Sequence, residues 1–345
     1  MHPPTKPDVT VVVPTRDRSE LVERLLTALA QQTVEPDRLE VLLADDGSGD
    51  ATAEVAKRFP FARVISTGGH LGQAGASNLA LRHARADVIA FTDDDTLPAE
   101  DWIERGLESL SGTGADISAG HIELSPSQAP SIAELVDIGR GYLDQEAMVA
   151  EGYGVTANLW VRREVAERVG GFREVWSGQS QRFMRSTAGH DRDFVERAVL
   201  TGATLVYAPD AVVQHPPRQS VRELARKEFR LGYGAVELAR NSVGAARGRP
   251  AAWRSPRLYL PWPHRPHMRR LEEAGYSISG LTRLKLLATQ YLCLQLAQAA
   301  GSMLGSLRAA PASGPASLDA DALGGVQPGP ELPADDGPPG TQVAQ

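Results

Sequence analysis

The sequence has a single cysteine, Cys293, among 345 residues. One thiol excludes an internal disulfide framework and a cysteine-built zinc cluster, so a reducing compartment, the cytoplasm, is expected. No leader peptide is visible in the polar, proline-rich N-terminus, and the chain enters a strand by Val9. Glycine is missing from the turn after that strand, which reads PTRDRSE. A nicotinamide dehydrogenase needs G-x-G-x-x-G there, and a sugar-phosphate nucleotidyltransferase needs a glycine-rich, Lys- or Arg-bearing phosphate loop. Neither groove-reading helices nor an aromatic platform for single strands can be recognised, so no nucleic-acid partner is expected.

The composition, 42% hydrophobic and 23% charged, is that of a soluble globular protein. The net charge of −7 hides an asymmetry. From Ala309 onward there are five acids and no Lys or Arg, in an Ala/Pro/Gly/Asp composition that cannot bury a core, so 309–345 reads as a disordered tail. Between Pro216 and Lys285, fifteen Lys and Arg face five Glu, punctuated by Trp253, Tyr259 and Trp262. Such a block suits a solvated face, an oligomer interface or an anionic membrane surface. Leu286–Gly305 carries no charge over about the length that spans a bilayer. Its three glutamines, Gln290, Gln295 and Gln298, are costly in hydrocarbon and favour a docked or interfacial amphipathic helix.

Apolar β-branched runs at Val9–Val13, Leu39–Leu43, Arg63–Ser66 and Val88–Phe91 alternate with helical spacings. Leucines 21, 25, 26 and 29 mark the first helix, with Ser19 as its cap. A helix to Phe59 and one over Ala76–Arg85 follow, the latter after a glycine-rich turn at Gly68–Gly75. This alternation predicts an α/β fold with a doubly wound, mostly parallel sheet that binds ligands at one rim. Further on, strands are expected at 116–122, 156–161, 204–207 and 211–214. Helices are expected over 131–150, broken near Gly139, then over 163–169, 191–200 and 219–240, the last with its basic residues mostly exposed.

The chain is organised around VIAFTDDDTLP, Val88 to Pro98, a buried strand running into Asp93, Asp94 and Asp95. Three adjacent carboxylates at a strand end repel and cost solvation energy if buried. Either they hold a hard divalent cation, Mg²⁺ or Mn²⁺, or they form a solvated turn capping the next helix over 99–110.

Seven motifs in order then match a known family: PTRDR from Pro14, ADDGSGD from Ala44, GQAGASN from Gly72, FTDDD from Phe91, TANLWVRR from Thr156, GGF from Gly170 and GHDRDF from Gly189. Over roughly residues 8 to 215 the chain resembles glycosyltransferase family 2, inverting enzymes of the GT-A fold with nucleotide-sugar donors. The resemblance implies a catalytic domain over 8–217, followed by a helical, basic region over 218–308 outside its reach. It implies that Asp46, with Asp45 beside it, contacts the nucleotide base, and that Pro14, Thr15 and Arg16 line it. Gly72, Asn78, Asp93 and Asp94 join the donor site; Asp93 and Asp95 form the DXD metal pair; Asp191 is the general base.

Inverting transfer needs a metal for the departing diphosphate, a carboxylate for the acceptor proton and a pocket for the nucleotide. His215 corresponds to a third metal ligand in related folds, or is a plain strand-end histidine. Asp193 is expected to cap the helix after the base. Two positions depart from the pattern: His190 replaces the Glu before the base, and Ser77 replaces an Arg. The missing Arg's task would fall to Arg16, Arg182 or Arg185, and the loop Arg173–Gly189 is expected to act as a lid over the donor. The implied acceptor is a carbohydrate or lipid-linked molecule of the cell envelope, with the enzyme peripheral on the inner membrane face. A degenerate member that binds nucleotide sugar without turnover is the alternative.

Overall fold

β1 (Val9–Thr15) and β2 (Leu39–Asp45) lie at the heart of the sheet and are almost wholly buried. That explains why their sequences are continuous apolar runs rather than alternations. The computed structural model describes residues 6–69, 71–173, 188–241 and 265–308. Arg182, Arg185, nearly all of the expected lid, Trp253, Tyr259, Trp262 and the tail lie outside the described residues.

The remaining strands are β3 (Ala62–Ser66), β4 (Val88–Thr92), the two-residue β5 (Leu97–Pro98), β6 (Ile117–Leu124), β7 (Asn158–Arg162) and β8 (Leu205–His215). They make one eight-stranded sheet in the order β3-β2-β1-β4-β7-β6-β8-β5. Pairings β1–β2, β1–β4, β2–β3 and β6–β8 are parallel, whereas β4–β7, β6–β7 and β5–β8 are antiparallel. The carboxyl ends of β1, β2 and β4 therefore open at one rim, where ligands bind in sheets of this kind.

α1 (Ser19–Leu29), α2 (Thr52–Ala56) and α4 (Trp102–Thr113) cover one face. Val22, Leu25, Leu26 and Leu29 recur at helical spacing and bury α1 against Val11, Val13, Leu43 and their neighbours. α3 (Gly72–His83), α7 (Arg163–Arg168) and α8 (His190–Leu200) cover the other face, where Phe172 stacks on Phe194 and Phe91 meets both edge-on. After β6 come α5 (Ile132–Arg140) and α6 (Gln145–Ala150), separated at Gly141 with φ +66 rather than at Gly139.

α9 (Val221–Asn241), α10 (Arg265–Glu273), α11 (Gly280–Gln290) and α12 (Gln298–Arg308) follow, the last two joined by a π-helical stretch at Tyr291–Ala297. α10 and α11 pack on α5, so Leu135, Val136, Leu224, Leu271, Leu286 and Cys293 share a third core. A Cβ at Gly232 would collide with the Gln298 carbonyl, and one at Gly301 with that of Phe229, so α9 and α12 cross backbone to backbone. Leu286, Gln290, Cys293 and Gln295 are buried. Among the described residues no helix is long and apolar enough to cross a membrane.

Several local expectations are corrected. Arg18, not Ser19, is the N-cap of α1, and the Ser19 amide donates to Asp50 instead. α3 begins four residues earlier than expected, inside the glycine-rich turn. α4 starts at Trp102 behind Asp101, so the acidic triplet caps no helix. The two expected short strands are one β8, whose register against β6 skips between Gly120 and His121. That irregularity turns the Ala211 carbonyl toward Asn158.

Asn158 has no exposed surface. Its Oδ1 accepts from Trp102 Nε1 at 2.9 Å and Trp160 Nε1 at 3.2 Å, and its Nδ2 donates to the carbonyls of His121 and Ala211, each at 2.8 Å. One amide thus joins three strands and α4. Asn158→Ala strands two indole N–H groups and two carbonyls in the core, and a loss of at least about 3 kcal/mol is expected. A urea midpoint displaced at unchanged m checks this.

Candidate active site

The rim is built by three strand ends. β1 delivers Pro14, Thr15 and Arg16; β4 delivers Asp93, Asp94 and Asp95; β8 ends in His215. With Asp46, Gly72, Gln73, Ala76, Arg18, Arg218 and Arg230 they line one cavity of about 320 Å³. Of the residues expected to bind donor or metal, this cavity gathers Pro14, Thr15, Arg16, Asp46, Gly72, Asp93, Asp94, Asp95 and His215. Asp45 and Asn78 are not in its lining. Asp45 accepts from the amide and hydroxyl of Ser48, closing the turn after β2. Asn78 exchanges two hydrogen bonds with the backbone of Phe172, and a Cβ on Gly171 would strike its Oδ1.

Asp46 organises the floor. Its Oδ1 accepts from Thr67 Oγ1 at 2.7 Å and the Leu71 amide at 2.7 Å, and its Oδ2 from the Gly72 amide at 3.0 Å. The turn it folds needs glycine: Gly47 has φ +82, and a Cβ there would lie 2.9 Å from the Gly69 Cα. Arg16 Nη1 is buried with no hydrogen-bond partner among the described residues. A guanidinium nitrogen left so at a cavity wall is fitted to a ligand the protein does not itself supply.

Thr15 Oγ1 donates to Asp94 at 2.8 Å, and Arg18 lies 3.6 Å from Asp94 and 3.3 Å from Asp95. Gln73 Nε2 donates to Asp93 Oδ1 at 3.1 Å. Burial, then the charges of Asp95, Asp191 and Asp94, push the Asp93 carboxyl up to about 8. Burial is also the main cause that lifts Asp94 to about 6, against the pull of Arg18. One ligand atom each from Asp93, Asp95 and His215 falls within 4.8 Å of the others. The His215 Nδ1 lies 2.8 Å from the Pro216 carbonyl and so carries the proton, leaving Nε2 bare toward Asp95 at 3.5 Å and Asp93 at 3.9 Å. Burial holds the His215 pKa below its usual value, although Asp95 pulls the other way. Two crowded carboxylates and a neutral imidazole fit a divalent cation.

Asp191, in the first turn of α8, accepts at Oδ1 from Thr156 Oγ1 at 2.8 Å and pairs with His190 Nε2 at 2.8 Å. Burial would raise its pKa, but the charge and hydrogen bond of His190 and the Thr156 hydroxyl more than offset that and hold it low. Asp191 lines a second cavity, about 530 Å³, together with Asp93, Gln73, Tyr142, Tyr153, Arg192, Arg218 and Lys227. The two cavities meet at Asp93, Gln73, Arg218 and Arg230. Asp193 caps nothing: it is fully buried, ion-paired to Arg173 and 3.1 Å from Arg197 Nε, while Gly189 with φ 115 begins the helix. Ser77 is buried within α3.

Sequence reasoning missed Gln73, Arg218, Arg230 and the buried Lys227. Lys227 was expected on an exposed face. It lies 2.9 Å from the centroid of the Tyr142 ring and 3.1 Å from Asp137 Oδ1, and burial, then Arg140, pushes its pKa down to about 7. The four-residue spacing of Arg218, Arg222, Arg226 and Arg230 was the signal available for the arginines.

Known proteins resemble this chain in sequence and in fold. Residues 10–170 match the family described as Glycosyl transferase family 2. The chain is 28% identical over 309 residues to Glycosyltransferase AglE of Haloferax volcanii, covering 88% of this chain and 98% of that one. It is 28% identical over 234 residues to the succinoglycan biosynthesis protein ExoM of Rhizobium meliloti, covering 65% and 72%. Among solved structures, the mannosyltransferase PcManGT from Pyrobaculum calidifontis, in complex with GDP-Man and Mn²⁺, superposes with a TM-score of 0.57 at 20% identity, covering 88% of each chain. Residues 10–170 carry a Glycosyl transferase family 2 domain, and the chain is a glycosyltransferase on a GT-A-like fold.

Proposed function

We propose that this enzyme moves a sugar from a nucleotide diphosphate sugar to an acceptor hydroxyl with inversion, in the service of a cell-envelope polysaccharide or glycolipid. The observation that carries the reading is the position of Asp93 on the wall shared by two cavities, one with the acidic–histidine cluster and the other with Asp191. Asp93, Asp95 and His215 would hold Mn²⁺ or Mg²⁺, which supplies charge for the departing diphosphate.

The chain's own groups do the rest. Arg16 and the floor built by Asp46 seat the nucleotide, and Arg218 and Arg230 add positive charge beside the diphosphate. Asp191, held ionised by His190 and Thr156, takes the acceptor proton as the oxygen attacks the anomeric carbon on the face opposite the leaving group. Tyr142 and Tyr153 offer flat walls for a sugar ring on the acceptor side.

Donor hydrolysis across UDP-, GDP- and dTDP-sugars, with Mn²⁺ and with chelator, tests this reading. Metal-dependent turnover of one donor is expected, and no turnover of any would sink it. Attachment to an anionic membrane surface is part of the proposal, supported by Leu281, Leu284, Leu292, Leu296, Met303 and Leu307. These six exposed apolar residues lie on the one helical run from α11 to α12.

A further inference from the structure

α1 and α9 enclose a cleft of about 1110 Å³ that opens into the metal-side cavity, sharing Arg18, Asp95, Arg218 and Arg230 with it. Six arginines and only two acids line it. Arg218, Arg222, Arg226 and Arg230 follow each other at four-residue steps, so the last three stand on one face of α9, and Arg24 of α1 lines the same cleft. Like charges at that spacing oppose helix formation, so the row is not there for the helix.

The acids do not neutralise it. Glu223 is engaged at the start of α9, exchanging hydrogen bonds with Ser220 at 3.3 and 3.2 Å, and Asp95 belongs to the metal cluster with Arg18 beside it. Arg24, Arg222, Arg226 and Arg230 make no hydrogen bond or ion pair among the described residues. Partial burial, together with Arg218, Arg226 and Arg18, lowers the pKa of Arg230, so the row repels itself. Such a cleft lacks anionic charge, and forked guanidiniums match phosphate oxygens in pairs.

We propose that the cleft between α1 and α9 is a second anion site, centred on Arg24, Arg222 and Arg226 and adjoining the donor pocket, that holds a phosphate or diphosphate group of the molecule to be glycosylated. Its inner end, Arg218, also lines the cavity of Asp191, so a molecule anchored by phosphate in the cleft brings its hydroxyl toward the base. That the held molecule is the acceptor rests on the transferase reading above; phosphate binding in the cleft does not.

The test is calorimetric titration of inorganic diphosphate into the full-length protein in chelator and low salt. Diphosphate binds the native protein, Arg222→Ala/Arg226→Ala weakens it at least about tenfold, and Arg222→Lys/Arg226→Lys retains most of it. Asp95→Asn leaves the affinity undiminished, which separates the cleft from the metal cluster. Both arginines are exposed and outside the donor pocket, so metal-dependent donor hydrolysis stays at the native rate in the alanine pair. Loss of hydrolysis in every form including the native would instead count against the transferase reading alone.

Phosphatidylglycerol vesicles, with phosphatidylcholine vesicles as control, are then added as competitors. Displacement of diphosphate by the anionic vesicles alone assigns a lipid phosphate, and no displacement assigns a soluble phosphate ester. Absence of diphosphate binding, or equal binding by the native protein and Arg222→Ala/Arg226→Ala, overturns the proposal.

Discussion

Asp191→Asn is expected to lower the rate of glycosyl transfer by about 10²–10⁴-fold while donor affinity stays native. The substitution preserves size and an acceptor oxygen for Thr156 and His190 but removes the lone pair that takes the proton. Donor affinity is spared because Asp191 is absent from the lining of the donor cavity. The pH profile carries a second readout. A base whose pKa is held low stays ionised, and competent, to a lower pH than an ordinary carboxylate. His190 is the principal lowering influence on Asp191, so His190→Gln raises that pKa and moves the acid limb of the profile to higher pH. A merely structural His190 would lower activity at every pH without moving the limb. Initial rates with saturating donor across the acid range decide it, and native turnover by Asp191→Asn would remove the base assignment.

The parts of this site that the sequence revealed are those whose chemistry is local. Asp93–Asp95 follow a buried strand directly, and both facts lie within eight residues of chain. Asp191 was singled out because it matches a motif of the resembling family and His215 because it ends a strand; the fold places them in two adjoining cavities. What stayed hidden depends on partners far away in sequence. Arg218 and Arg230 looked like part of a basic surface because nothing local distinguishes a guanidinium lining a cleft from one facing water. Lys227 is enclosed by Tyr142 and Asp137, some ninety positions earlier, and no periodicity reports that. Asp45 and Asp46 read alike as neighbours, yet the strand's alternation sends them to opposite tasks, one closing a turn on Ser48 and the other flooring the rim cavity. The merging of two short strands into β8 escaped for the same reason: Pro209 and Asp210 look like a turn, and only the register with β6 shows that the ladder bulges and continues.

Asp95→Ala is expected to abolish the metal dependence of donor binding, weakening Mn²⁺ at least about 100-fold, since even second-layer changes cost 10–100-fold. The argument is electrostatic before it is geometric. Without a cation, burial and the neighbouring carboxylates hold Asp93 protonated to about 8, far above an unfolded chain's aspartate. Folding therefore becomes less favourable as pH rises from that unfolded value toward 8, because the ionised form is penalised only in the folded protein. Removing Asp95 takes away the largest of the repelling charges, so cation-free Asp95→Ala should be more stable than the native protein at pH 8 and closer to it at pH 4. Mn²⁺ should reverse the ranking. It displaces the proton from Asp93 and stabilises the native protein by about 2.7 kcal/mol at a hundredfold excess over its Kd, with no matching gain in the variant. Thermal unfolding of both proteins at the two pH values, with Mn²⁺ and with chelator, yields all four comparisons. Equal stabilisation of both forms by Mn²⁺ would place the cation elsewhere. A stability difference between Asp95→Ala and the native protein that stays constant from pH 4 to pH 8 in chelator would show that the three carboxylates do not repel as their crowding at the rim requires.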